Sequence, residues 1–194
     1  MLGLAAQWLG VTQTQANSVA PILISEEQGR HKSTFCRMLM PPQLARYYSD
    51  NLKLTAQGNP ERLLAEMGLL NMDEFDKFGA QKMPLLKNLM QMSSLNICKA
   101  YQKNFRSLPR IASFIGTSNR TDLLCDPTGS RRFICIEAEH DIDCTGIEHS
   151  QIYAQLKEEL LAGARHWFNK EEEHALQCHN MAYYHVNPIE DIVR

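Results

Sequence analysis

The stretch ILISEEQGRHKSTF, residues 22–35, decides how the rest of the chain is read. The apolar run VAPILI (19–24) reads as a short buried strand with Pro21 near its start, and a polar loop containing Gly29 follows. The segment STFCRMLM (33–40) then has helical spacing and stops at Pro41-Pro42. Strand, loop and helix are the setting of the pattern G-x-x-x-x-G-K-[ST]. In that pattern loop N–H groups curl around phosphate oxygens, the lysine supplies charge and the hydroxyl holds Mg²⁺. Here Lys32, Ser33 and Thr34 stand in the right place, but the glycine positions fall on Glu26 and His31, with Gly29 inside the loop. Taken alone, the segment is equally an ordinary strand–turn–helix with a surface lysine.

Three further segments bear on the choice. LLNMDEFD (69–76) is an apolar strand that delivers Asp73 and Glu74 at its carboxyl end, as a Walker B motif does. Asp73 would hold Mg²⁺ and Glu74 would orient and deprotonate a water. Adjacent strand residues point to opposite faces, so the two acids can do different jobs; Asp76 and Lys77 read as a surface pair. IASFIGTSN (111–119) is a buried strand ending in Asn119, an amide placed to reach a phosphate and a water, or else a turn residue. DPTGSRR (126–132) turns at Gly129 and presents Arg131 and Arg132, cations suited to transferring phosphoryl groups or to salt bridges with the acidic tail.

The 194-residue chain is 44% apolar and 22% charged, which excludes intrinsic disorder. Its longest apolar run, Val19–Ile24, is far too short to span a bilayer. Six scattered cysteines without a C-x-x-C pair favour a reduced, cytoplasmic setting. The net charge of −2 hides an asymmetry: Lys82–Arg132 holds nine Lys/Arg and two Asp/Glu, whereas Glu137–Glu173 holds ten acids and three bases. A basic centre in a near-neutral chain suits local contact with a polyanion. Within it, LNICKAYQ and NFRSLPR can pair as a hairpin that interleaves Lys99, Lys103 and Arg106 with Tyr101 and Phe105. His174, Cys178 and His179 fall at helical spacing but fit a solvated helix better than a zinc site.

Strands alternate with helices, so the expected class is α/β with a mainly parallel sheet. Helices are expected over 2–15, after the Asn59-Pro60 start, over 80–92, 150–169 and 171–180. The strands Ile22–Ser25, Leu69–Asp73, Ile111–Thr117 and Arg132–Glu137 are expected to share one sheet, with Lys32, Asp73 and Asn119 meeting at its carboxyl edge. Residues 1–149 are expected to form the core and 150–194 a C-terminal helical extension of the same domain.

In this order the segments resemble an additional-strand NTPase. ILISEEQGRHKSTF, LLNMDEFDKF, SFIGTSN and DPTGSRRF, between Ile22 and Ile136, resemble the virulence-associated E family. That is a helicase-like phosphate-loop group near the superfamily 3 helicases and viral primase-helicases of the AAA+ class. The resemblance implies a three-layer NTPase fold, ATP and Mg²⁺ as cofactors, and a helicase-like or translocase module of a mobile-element or phage-type replication protein. It implies a homo-oligomeric ring on single-stranded or forked DNA. It carries phosphate contact to Lys32 and Ser33 and the sensor role to Asn119. Arg131 or Arg132 matches the arginine acting on a neighbour's ATP, and the hairpin at 95–110 the DNA grip before the sensor strand. His31 departs from the family's glycine, where a Cβ opposes positive φ and close phosphate approach. The rival readings are a non-catalytic DNA-binding and assembly domain with a degenerate loop, and a small-substrate phosphotransferase.

Overall fold

The computed structural model describes residues 1–11, 16–98 and 105–185. Five strands form one sheet: β1 (Ala20–Ile24), β2 (Tyr48–Ser49), β3 (Leu69–Met72), β6 (Ser113–Ser118) and β7 (Phe133–Glu137). Their order is β2-β3-β6-β1-β7, and every pairing is parallel. The sixth strand in sequence is thus inserted between β1 and β3. β4 (Ser94–Cys98) and β5 (Phe105–Pro109) pair antiparallel as a separate hairpin. The helices are α1 (Leu2–Trp8), α2 (Lys32–Met38), α3 (Pro60–Glu66), α4 (Met83–Gln91), α5 (His149–Leu161) and α6 (Lys170–Asn180).

Strand alternation sorts the core into two layers. Ile22, Ile24, Leu70, Met72 and Phe114 face α3, α4 and the hairpin, where they pack on Leu64, Leu86, Leu89 and Leu95. Leu23, Leu69 and Ile115 face the other way, onto Leu4 of α1 and Cys36 of α2, with Tyr153 of α5 at the margin. Residues odd in β3 and β6 therefore point to the α2 side, which fixes the direction of Asp73, Thr117 and Asn119 just beyond. Gly116 lies where β6 runs between β1 and β3; a Cβ there would sit 2.7 Å from Ile22 Cδ1. Pro21 is tolerated in β1 because pairing with β6 begins only at Ile22.

Several boundaries differ from expectation. α1 stops at Trp8, with Gly10 at φ 70°, and residues 12–15 lie outside the described residues. α5 ends at Leu161 and Gly163 turns at φ 84°; α6 then restarts on a capping box between Asn169 and Glu172. The expected continuous helix to 169 is thus broken by a left-handed glycine. Asn59 precedes α3 with Pro60 at its first position, but Asn59 is left-handed at φ 43° and its side chain makes no cap bond. The short edge strand β2 had no sequence signal, since two residues carry no alternation.

Candidate functional site

The loop between β1 and α2 rises from the carboxyl edge of the sheet. Gly29 has φ 87° and His31, the residue before α2, has φ 59° and ψ 20°. The backbone thus adopts, with histidine, the left-handed conformation that glycine takes at no steric cost. Lys32 comes next and is 8% exposed. Its Nζ donates to Ser25 O at 3.2 Å and to Asn119 Oδ1 at 3.0 Å. Burial lowers the Lys32 ammonium below the ordinary lysine range, Asp73 opposes that shift, and Arg30 adds to it. Ser33 and Thr34 are exposed on the first turn of α2.

Asp73 follows β3 and accepts two hydrogen bonds on one oxygen, from Ser33 Oγ at 3.0 Å and from Thr117 Oγ1 at 2.6 Å. Lys32 and Ser33 at the start of α2, Asp73 after β3, and Thr117 and Asn119 at the end of β6 therefore converge on one edge. Thr117 was missed as a site residue. The signal was present, because strand alternation puts Thr117 on the side of Asp73 and Asn119. The hard oxygens of Ser33 and Asp73 fit Mg²⁺, which takes one or two protein oxygens and fills its shell from phosphate and water. Among the described residues no group of three or more His, Cys, Asp or Glu could hold a metal ion by itself.

Glu74 lies beyond the end of β3 at φ 53°, so it diverges from Asp73 because the chain turns, not because strand residues alternate. Its carboxylate meets Lys77 Nζ at 2.6 Å. Asp76 accepts from Ser118 Oγ at 3.1 Å, so the expected Asp76–Lys77 surface pair is replaced by two different contacts.

Arg131 and Arg132 close a 3₁₀ turn (Pro127–Arg132) that enters β7 at the opposite, amino edge. They are not brought to the Lys32 site of their own chain. Arg131 pairs with Glu173 of α6 at 3.1 Å. Arg132 is half-buried; burial first, and Arg131 second, lower its pKa, while Glu173 and Asp126 oppose that shift.

In the hairpin, Arg106 is exposed on β5, whereas Lys99, Tyr101 and Lys103 lie outside the described residues, as does the side chain of Phe105. Arg110, the last cation of residues 95–110, does not face solvent with Arg106. It is instead 1% exposed, donating to Asn17 O at 2.8 Å, Gln7 Oε1 at 3.1 Å and Leu89 O at 3.5 Å. Burial pushes its pKa down to about 10. On α6, His179 meets Cys135 O at 2.9 Å and so serves the packing of that helix on β7.

Among curated proteins none matches the sequence. Two solved structures of the NrS-1 C-terminal region resemble the fold. An apo structure has a TM-score of 0.50 at 20% identity, covering 94% of this chain and 40% of that one. An A-form apo structure has a TM-score of 0.47 at 19% identity, covering 93% and 38%. The chain thus spans about two fifths of the structures it matches. The sequence profile of the Virulence-associated protein E-like domain matches residues 11–185, and the chain belongs to that family.

Proposed function

We propose that this chain is an ATP-hydrolysing, Mg²⁺-dependent, helicase-like module of a replication protein, and that it grips single-stranded or forked DNA as a homo-oligomeric ring. The observation that carries the reading is the meeting of Lys32, Ser33, Asp73, Thr117 and Asn119 at one sheet edge, joined by hydrogen bonds across three elements. The family membership and the parallel β2-β3-β6-β1-β7 sheet support it. The loop N–H groups and Lys32 would bind the β- and γ-phosphates. Ser33 and Asp73 would hold Mg²⁺, which supplies charge neutralisation on the transferring phosphoryl group. Asn119, now bonded to Lys32, would turn its amide to the γ-phosphate. Glu74 would take the proton of the attacking water, once released from Lys77.

β6 carries Thr117 at one end and follows the β4–β5 hairpin at the other, after only three linking residues. At ~3.3 Å per residue such a strand is a short, stiff link of about 20 Å. Movement of Asn119 with nucleotide state would pass along it to the hairpin, where Lys99, Lys103 and Arg106 would track phosphates and Tyr101 and Phe105 would stack on bases. Because Arg131 and Arg132 lie at the other edge, an arginine would have to act on a neighbouring subunit's nucleotide. Arg132 is the better candidate, since Arg131 is held by Glu173.

The test is ATP binding with and without Mg²⁺, followed by hydrolysis with and without single-stranded DNA. DNA-stimulated hydrolysis is expected. DNA binding with no nucleotide binding would select instead a non-catalytic assembly domain, a reading that the histidine at position 31 favours.

A further inference from the structure

The loop from Ser25 to His31 holds a curl that its sequence does not make easy, because Glu26 and His31 stand at the pattern's two glycine positions. His31 nevertheless sits at φ 59°. A non-glycine residue keeps such a conformation only where its surroundings over-determine it. The surroundings here centre on Arg30. Its Nη2 donates to Glu27 Oε2 at 2.7 Å inside the loop, and its Nη1 lies 3.6 Å from Asp141 Oδ1. The Arg30 side chain is 18% exposed although both carboxylates are 75% exposed, and its Nε is buried with no hydrogen-bond partner.

Asp141 belongs to the segment that leaves β7 and crosses the loop. Ala138 N donates to Ile24 O at 2.8 Å, and Ile142 N donates to Arg30 O at 3.3 Å. The Ile142 side chain is packed against the α2-side core, which fixes the segment in place. Within the loop, Ser25 Oγ donates to Glu27 O at 2.9 Å. Arg30 therefore meets Glu27 within the loop and Asp141 on the crossing segment, with its own carbonyl bonded to that same segment. It is the residue immediately before the left-handed histidine.

We propose that Arg30, clamped between Glu27 and Asp141, is a positioning residue that holds the phosphate-binding loop in its curl and so stands in for the missing glycine at position 31. The role rests on the nucleotide-binding reading of the Lys32 site. Arg30 would not need to touch nucleotide; it acts through the backbone of His31 and Lys32. Two independent lengths of chain, the loop and the segment after β7, would thus share the work that glycine's conformational freedom does elsewhere.

The experiment compares the wild type with R30A, H31G and the double variant R30A/H31G. ADP and a non-hydrolysable ATP analogue are titrated by calorimetry, and amide hydrogen exchange is followed over residues 26–33 in nucleotide-free protein. R30A is expected to weaken nucleotide binding about tenfold, to speed exchange across the loop, and to leave the melting temperature near that of the wild type. H31G is expected to restore most of the affinity in the R30A background, because glycine takes the left-handed conformation unaided. Such a rescue is non-additive, and loss of mere surface charge would not produce it. Unchanged loop exchange in R30A overturns the clamp. Weakened binding that H31G fails to restore also overturns it, since Arg30 would then act on the ligand itself. A wild type that binds no nucleotide defeats the nucleotide reading, while the exchange measurement still decides whether Arg30 holds the loop.

Discussion

The polar side chains around the two ends of β6 bond in opposite ways. At the carboxyl end the bonds run mostly between side chains: Lys32 to Asn119, Ser33 and Thr117 to Asp73, Ser118 to Asp76. At the amino end they run mostly from side chain to main chain. Arg110 donates to Asn17 O and Leu89 O, the Gln7 amide donates to Arg110 O, and Trp8 Nε1 donates to Gly68 O at 3.0 Å. Side chains that bond one another can let go and accept a ligand at little cost to the chain's path. Side chains that saturate buried carbonyls cannot, because the carbonyl left behind loses its partner. One end is built to exchange partners and the other to stay closed.

Removing one cation from each end of β6 should separate the two. Arg110→Ala deletes a buried guanidinium with three hydrogen bonds and leaves a cavity. The expected cost is on the order of 2–4 kcal/mol, which lowers the melting temperature by roughly 5–15 °C in a domain of this size. Lys32→Ala should abolish nucleotide binding yet leave melting almost unchanged, because a partly desolvated ammonium goes with the bonds it made. Calorimetry and thermal melts on both variants check the crossover. A Lys32→Ala protein that melts as early as Arg110→Ala would make Lys32 a structural residue.

Glu74→Gln is the next test. It keeps the shape of the side chain and removes only its capacity to take a proton. Nucleotide affinity should stay within a few-fold while turnover falls by about a hundredfold or more. Lys77→Met, which frees Glu74 from its ion pair, should leave turnover equal or higher. If Glu74→Gln retains full turnover, the base lies elsewhere.

Much of this was legible in the sequence, for reasons that particular residues make plain. The strands β1, β3, β6 and β7 were recoverable because each is a short, mostly apolar run in a parallel sheet buried over most of its length. The meeting of Lys32, Asp73 and Asn119 followed from their places just after such runs. What was not legible depended on contacts distant in sequence. Nothing local in LPRIAS says that Arg110 is drawn inward by Gln7 and Asn17, some ninety residues or more away. Nothing in SEEQGRHK announces that Asp141 will reach Arg30. The break at Gly163 was legible in principle, since glycine before a capping box is a stop signal.

Burial of Arg110 also sharpens the DNA forecast. Sequence alone counts four cations in residues 95–110; Arg110 is buried, which leaves Lys99, Lys103 and Arg106 as the proposed phosphate contacts. If each meets one phosphate, the log–log dependence of single-strand affinity on salt should have a slope of roughly −2, from about −0.7 per contact. Arg106→Ala should flatten it by about one such step. A steeper slope that Arg106→Ala leaves unchanged would move the main phosphate contacts off the hairpin.

The smallest expected effect concerns α6, which docks on the turn before β7 through Asn180 and carries the acid that holds Arg131. Its start is fixed by the reciprocal bonds between Asn169 and Glu172, each 2.8 Å. The Asn169 N–H first, and Arg165 second, hold the Glu172 carboxyl below its ordinary pKa. A carboxyl with a lower pKa folded than unfolded contributes stability that is fully present above the unfolded value, and loses it as pH falls through the folded one. Melting temperature should therefore decline on acidification from roughly pH 5 downward, where unfolded glutamate begins to bind protons. Glu172→Gln keeps a neutral acceptor for the Asn169 N–H but gives up the titration. Its melting temperature should be slightly lower at neutral pH and should fall less steeply in acid, so that the two curves converge. Nucleotide binding at neutral pH should be the same in both proteins, since the cap lies at the closed side of the sheet. Parallel acid limbs in the two melting curves would show that the capping box contributes nothing to the pH dependence.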